Sequence, residues 1–325
     1  MAGVRMVIAF IIWLKLCLMI YLINTHQTIS VESIMRDYTS VSNEEHLMDF
    51  VNFSYIMEQP PCEMETKGLI FVHSAPKNFE KRALIRETWG SADSIEQSPL
   101  RIIFALGKVE SDIVQSTLEN EQTLFGDLMQ GNFLDGYFNV TYKHVMGLKW
   151  FHTHCESAKL LIKVDDDIFV NTGELIENLL EPTTNNRTLD IILQQRDNLL
   201  FCSLKNHDPV ARSYRSKWRV SYKEYSDAFY PAFCPGFAIV YTPDTVRRLY
   251  EEVQKSPYFR LDDVYITGIM SNRTNITITD LSPFVLFPNQ MNALLEGVVP
   301  VSAMQFLVSH HNINPMQMRS LWALV

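Results

Sequence analysis

Three consecutive carboxylates, Asp165-Asp166-Asp167, stand between an apolar run, Ala158 to Val164, and a second one, Ile168-Phe169-Val170. Acids crowded this closely repel one another, and keeping them between buried segments is costly unless a cation shares the place. Carboxylate oxygens suit Mn²⁺, or Mg²⁺ in its stead, rather than Zn²⁺. A divalent ion held by one or two carboxylates, with substrate phosphates completing its shell, is one use of such a run. A solvated acidic turn is the other. The apolar sequence on both sides favours the first, and it requires a strand that delivers the triplet to an open edge.

The surrounding pattern supplies such strands. Gly68 to Ala75 reads as a buried strand, and Asn78 stands where it can cap a helix from Phe79 to Trp89. Arg101 to Leu106 is a second strand closed by Gly107, followed by a helix through Ser111 to Phe125. Phe138 to Tyr142 resembles a short strand, Lys143 to His152 a helix, and Lys159 to Val164 the strand that ends in the acids. Glu174 to Leu180 resumes a helix. Strand and helix in alternation predict an α/β fold, a parallel sheet with helices on both faces and its ligand crevice beyond the carboxyl ends of the strands. No G-x-G-x-x-G and no Walker A run occurs, so a diphosphate would be held by metal and basic side chains. Later, Lys217 to Ser221 looks like a strand, with an irregular aromatic loop through Phe233. Phe237 to Tyr241 is a strand, and Thr242-Pro243 starts a helix to Gln254. Asp262-Asp263 opens a further helix-like run.

The ends and the cysteines speak to location. Met6 to Ile23 is apolar and about long enough to span hydrocarbon, although Lys15 near its middle costs about 2.5–3.5 kcal/mol. With Arg5 ahead of it, the positive-inside rule keeps residues 1–5 cytoplasmic and sends the rest across. A cleaved signal peptide is the rival, but no small-x-small site follows Ile23. Residues 24–66 are polar and suit a luminal stem, which leaves 67–325 as a single catalytic domain. Five N-x-S/T sequons, at Asn52, Asn139, Asn186, Asn272 and Asn275, agree with a luminal body. Cys17 lies in the apolar span; Cys62, Cys155, Cys202 and Cys234 are an even set with three open pairings. A net charge of −9 argues against a nucleic-acid binder.

Six segments in order resemble the β-1,3-glycosyltransferase family of β-1,3-galactosyltransferases and β-1,3-N-acetylglucosaminyltransferases. Arg82 to Gly90 is similar to its R-x-x-I-R-x-T-W-G signature, and Glu121 to Asp127 with Phe133 to Lys143 to the single E-x₃-Y-x-D and D-F-x-D-x-Y-x-N-L-T-x-K stretch that follows. Lys163 to Asp167, Tyr230 to Gly236, Leu261 to Tyr265, and His311 to Pro315 follow at matching spacing. The resemblance implies a single-pass type II Golgi membrane enzyme with a Rossmann-like nucleotide-sugar transferase fold of GT-A type. It would use Mn²⁺ and a UDP-sugar, with a glycan, glycoprotein or glycolipid as acceptor.

By position, the resemblance implies Asp263 as general base, and Asp167 with His311 as metal ligands, His310 being the adjacent competitor. Asp165 and Asp166, with Arg82, Arg86 and Lys143, would face the nucleotide-sugar. Tyr230, Phe233, Gly236 and Asp262 would face the acceptor. Trp89 and Trp150 read as core. Two departures stand out. Asp262 replaces the family's usual Glu, shortening its reach by one methylene, and Phe237 puts bulk into a usually glycine-rich run. Two other readings compete: a non-catalytic lectin-like or chaperone-like relative, which has no need of a base, and a metal-dependent phosphodiesterase, which needs more dispersed Asp and His ligands.

Overall fold

The structure, a computed structural model, describes residues 52–91, 95, 98–180 and 198–325. The expected cytoplasmic tail, the apolar tract at 6–23, the stem up to residue 51 and Asn186 fall outside the described residues. Among the described residues no helix is long and apolar enough to cross a membrane.

Period-two alternation splits the apolar side chains of the central strands onto two faces. In β2 (Gly68–His73), Ile70 and Val72 enter one core while Leu69 and Phe71 enter the other. The same division runs through β3 (Leu100–Lys108) and β5 (Leu160–Asp165), so the sheet carries a core on each side. Helix α1 (Phe79–Glu87) contributes Leu84 and Ile85 to the first core, beside Trp89. Helix α3 (Val140–His154) covers the second, with ten of its fifteen residues buried. It lies close to the sheet because of Gly147, where a Cβ would come within 2.5 Å of the Phe71 ring. Trp89 and Trp150 are fully buried, as core residues should be. Between them, α2 (Asp112–Phe125) ends at Gly126 in the left-handed region, φ 68°, a cap that costs glycine nothing.

The sheet is mixed, not all parallel. Its eight strands run β1-β4-β3-β2-β5-β7-β6-β8. Here β1 is Tyr55–Met57, β4 Leu128–Leu134, β6 Leu199–Cys202, β7 Ala238–Tyr241 and β8 Thr277–Asp280. Strands β4, β3, β2 and β5 are parallel; β7 is antiparallel to both β5 and β6, and β1 is antiparallel to β4. The chain moves from β2 outward to β3 and β4, then returns to place β5 on the other side of β2. That reversal opens a crevice at the carboxyl ends of β2 and β5, where His73 and Asp165 are paired in register.

Several expected elements shift. Phe138 to Tyr142 is not a strand: a 3₁₀ turn, Tyr137–Asn139, leads straight into α3. Lys217 to Ser221 forms turns. The helix predicted at Glu174 is a single turn, α4 (Thr172–Leu175), that widens into a π turn, Ile176–Leu180. The folded body also begins before residue 67, since β1 pairs with β4 and Cys62 is bridged to Cys155. The second disulfide joins Cys202 to Cys234.

Candidate functional site

The C-terminal segment is tied to the acidic triplet by main-chain bonds. Strands β9 (Val285–Leu286) and β10 (Val308–Ser309) pair in parallel. Asn171 N donates to Leu307 O (2.9 Å), Ser309 N to Phe169 O (2.8 Å), and Ile313 N to Asp167 O (3.2 Å). This lacing brings His310 and His311 beside the loop after β5. Phe237, the bulky residue of the glycine-rich run, is buried with its ring 5.0 Å from His310 and 5.6 Å from His311. It fills space against the histidine pair, and burial lowers the His310 pKa.

A cavity of about 760 Å³, within the range of small-molecule sites, opens at the crevice. Its lining brings together Lys143, Asp165, Tyr230, Phe233, Gly236, Asp262, Asp263 and His311, eight of the residues expected there from sequence. The remaining four, Arg82, Arg86, Asp166 and Asp167, are not part of the lining.

Arg82 and Arg86 are turned inward. Arg82 is fully buried and makes a two-pronged pair with Glu121 (2.8 and 2.6 Å), while also donating to Ser74 Oγ and the carbonyls of Ala75 and Pro76. Arg86 pairs with Glu121 and, in the same forked way, with Asp127. Burial raises the Glu121 carboxyl, but the two guanidiniums outweigh it and hold it below the usual range. The segments Arg82 to Arg86 and Glu121 to Asp127 are thus two halves of one clamp between α1 and α2. Their i, i+4 spacing was read correctly as one face; that face meets protein.

Asp166 is likewise spent inside. It accepts from Ser74 Oγ (2.8 Å), Asn78 Nδ2 (2.7 Å) and Lys81 Nζ (2.8 Å), fastening the loop after β2 to the triplet. Asn78 therefore does not cap α1 with its side chain. Lys143 is buried, paired with Asp135 (2.7 Å) and donating to Ser74 O (2.7 Å). Of the sequons, Asn52, Asn272 and Asn275 are exposed. Asn139 is buried and donates to Leu134 O, so its amide is not open to modification in the folded protein.

Lys163, to which sequence reading gave no role, is the hub of the cavity floor. Its buried ammonium donates to Asp165 Oδ1 (2.7 Å) and to Gly236 O. Burial opposes its charge, yet Asp165, Asp262 and Asp263 together raise its pKa. The signal was present in the sequence: a lone lysine amid the apolar residues of a central strand must have a buried counter-charge.

The two acids of the second pair are driven apart. Asp262 accepts from His144 Nδ1 (2.8 Å), whose Nε2 meets the Tyr241 hydroxyl (2.8 Å). Burial pushes Asp262 up, but the His144 hydrogen bond and Lys163 hold it below the usual carboxylate range. Among the described residues, the Asp263 side chain has only Val264 N, which donates to Oδ1 (2.8 Å). Burial, then the neighbouring Asp262 charge, push it up to about 7. Two adjacent carboxyls with opposed shifts are the mark of one permanent anion beside one proton acceptor.

For a cation, the available donors are Asp165, Asp167 and His311. The Asp165 and Asp167 side chains are 38% and 23% exposed, with lysine partners at 2.7 and 3.6 Å. Burial, then Asp262 and Asp167, work to raise the Asp165 pKa against Lys163. Among the described residues no three His, Cys, Asp or Glu side chains are gathered where they could hold one metal ion. The donor types, carboxylate and imidazole, are those a hard ion takes when phosphate and water complete most of its shell.

The galactosyltransferase family profile matches residues 80–282. The chain belongs to that family. Among its relatives, beta-1,3-galactosyltransferase 1 of Mus musculus and of Homo sapiens are each 29% identical over 275 residues, 83% of this chain and 78% of theirs. Beta-1,3-galactosyltransferase 5 of Pan paniscus is 31% identical over 255 residues, 78% of this chain and 79% of that one. A solved galactosyltransferase, LgtC with donor and acceptor sugar analogs, aligns over 75% of this chain and 86% of its own at 11% identity. Its TM-score of 0.35 is too low to bear on function.

Proposed function

We propose that this chain is an inverting GT-A-type glycosyltransferase that moves a hexose from a UDP-sugar to an acceptor hydroxyl in β1→3 linkage. Galactose is favoured as the sugar, as in the names of its relatives, with N-acetylglucosamine next. The observation that carries the reading is Asp263: a carboxyl raised to about 7 in the wall of a sugar-sized cavity that also holds Asp165.

The chemistry follows from the residues. Val264 N occupies Oδ1 of Asp263, so Oδ2 is the oxygen left to take the proton of an acceptor hydroxyl. A single displacement at the anomeric carbon inverts it, through the oxocarbenium character general to glycosyl transfer. Lys163 offsets part of the floor's negative charge while Asp263 is ionised, and Asp262 stays an anion that raises its neighbour's proton affinity. Asp167 and His311, the ligands the resemblance implies, would hold Mn²⁺ or Mg²⁺ together with substrate phosphate, and the ion when bound supplies a Lewis acid for the charge on a departing diphosphate. Tyr230 and Phe233 offer ring faces to an acceptor sugar. An apolar N-terminal tract, exposed sequons and two disulfides support a luminal body anchored in the Golgi membrane.

A second reading, a binding relative without catalysis, draws on one observation: Asp165 and Asp167 each already face a lysine. One experiment separates the two. The full chain in detergent is given a panel of UDP-sugars, with Mn²⁺ or with chelator, and release of UDP is followed. Turnover of one donor that stops with chelator is expected; UDP binding with no turnover of any donor would establish the binder.

A further inference from the structure

Between Pro209 and Lys223 the chain carries five cations, Arg212, Arg215, Lys217, Arg219 and Lys223, and no carboxylate, although the whole chain has a net charge of −9. The same stretch supplies three exposed aromatics, Tyr214, Trp218 and Tyr222. This loop forms the mouth of the cavity, where Trp218 lines it together with Tyr137.

Arg212, within the stretch, and Arg260, outside it, are structural. Arg212 donates to the carbonyls of Val220, Tyr225 and Asp227 and stacks on Tyr222. Arg260 donates to the carbonyls of Lys217 and Arg219, which fixes the rim to the cavity wall. Lys217 differs. Its ammonium lies 4.4 Å from the Trp218 ring centroid and 5.9 Å from that of Tyr137, and it pairs with no carboxylate among the described residues. A strongly hydrated cation strung between two exposed rings at a cavity mouth is placed to meet an anion that arrives on a stacked ring.

The side on which it stands identifies that ring. The arginine that pins Lys217, Arg260, lies three residues before Asp263 on the same segment. Asp263 must face the acceptor hydroxyl, whereas the residues suited to the diphosphate come from the end of β5 and from the C-terminal segment. We propose that Lys217, Trp218 and Tyr137 form an acceptor subsite for a saccharide carrying an anionic substituent, a carboxylate or a sulfate ester. This rests on the transferase reading and adds the acceptor class to it.

The test is calorimetric, so it does not depend on turnover. The full chain, with UDP present, is titrated with a lactosamine-type disaccharide in neutral, sulfated and sialylated forms. The anionic forms should bind about fivefold tighter than the neutral one, and the advantage should vanish in about 0.5 M NaCl. Lys217→Glu should reverse the order, while Trp218→Ala should weaken all three forms together; circular dichroism checks that each variant is folded. The sulfated and sialylated arms separate the two anion chemistries. Equal affinity for neutral and anionic forms, or an order unchanged in Lys217→Glu, overturns the proposal. So does binding of anionic phospholipid vesicles, lost in Lys217→Glu, without any saccharide preference. Donor turnover on the same preparation reports separately on the transferase reading.

Discussion

His144 Nδ1 lies 2.8 Å from Asp262 Oδ2, the first acid of the pair whose second member is the candidate base. The ring is buried and its pKa is lowered by desolvation, in spite of Asp262, so the imidazole is neutral. With Tyr241 donating to Nε2, the proton on Nδ1 points at the carboxylate. The histidine comes from α3, 118 residues earlier in the chain, so the contact ties that helix to the start of the segment that carries the base. Removing it strands a buried anion. His144→Ala should therefore lose about 2–4 kcal/mol of stability in urea unfolding, and transfer should slow with it. A variant as stable as the parent would refute the hydrogen-bonded chain.

Asp263→Asn should reduce transfer by about 10²–10⁴-fold while UDP affinity, measured by calorimetry, changes little. The parent's kcat/KM should fall below pH 7, following the carboxyl raised to about 7. Stability has the opposite sign. The folded protein binds this proton more tightly than the unfolded chain does, so Asp263 costs stability above the unfolded pKa near 4, most fully above 7. Discounted for solvent screening, Asp263→Asn should raise stability by roughly 1 kcal/mol at pH 8 and by nothing near pH 4. Equal gains at both pH values would remove the elevated carboxyl.

Lys163→Met keeps the stem and removes the charge. Asp165, Asp262 and Asp263 then share a floor without their common cation, and about 3–5 kcal/mol of stability should go. The acid limb of the pH–rate profile should also move upward, because the remaining acids hold the proton on Asp263 more strongly. A profile that stays in place would mean that Lys163 serves only packing.

Asp167→Ala tests the ion. Chelator should weaken UDP binding to the parent by about tenfold or more and have no further effect on the variant. If the variant binds UDP as well as the parent in Mn²⁺, the carboxylate is not a ligand and its neighbour Lys81 is its only business.

The central strands, the site's strand and most helices were legible because their apolar periods are strong. What escaped was contextual. Strand β4 carries Gln130 and Asn132 inside an otherwise apolar run, and β1 is only three residues long, so neither stands out before pairing. The antiparallel placement of β7 between β5 and β6 has no local signature at all. At the site, the family resemblance pointed to Asp165, Asp262, Asp263, Tyr230, Phe233 and His311, which the fold gathers around one cavity, but residue type and spacing stop short of partners. They could not tell an arginine facing ligand from one facing glutamate: Arg82 and Arg86 sit on one face as expected, and only the position of α2 decides what that face touches. Lys163 was passed over for the same reason, its three acidic partners being up to a hundred residues away.

The lacing of residues 307–313 to the loop after β5 has a bearing on biogenesis. The acids at 165 and 167 are made well before the imidazole at 311 that would complete their corner. On the proposed reading, the ion corner cannot close until β10 has paired with β9 and Ile313 has bonded to Asp167, so the same pairing that buries Leu307 and Val308 also finishes the site.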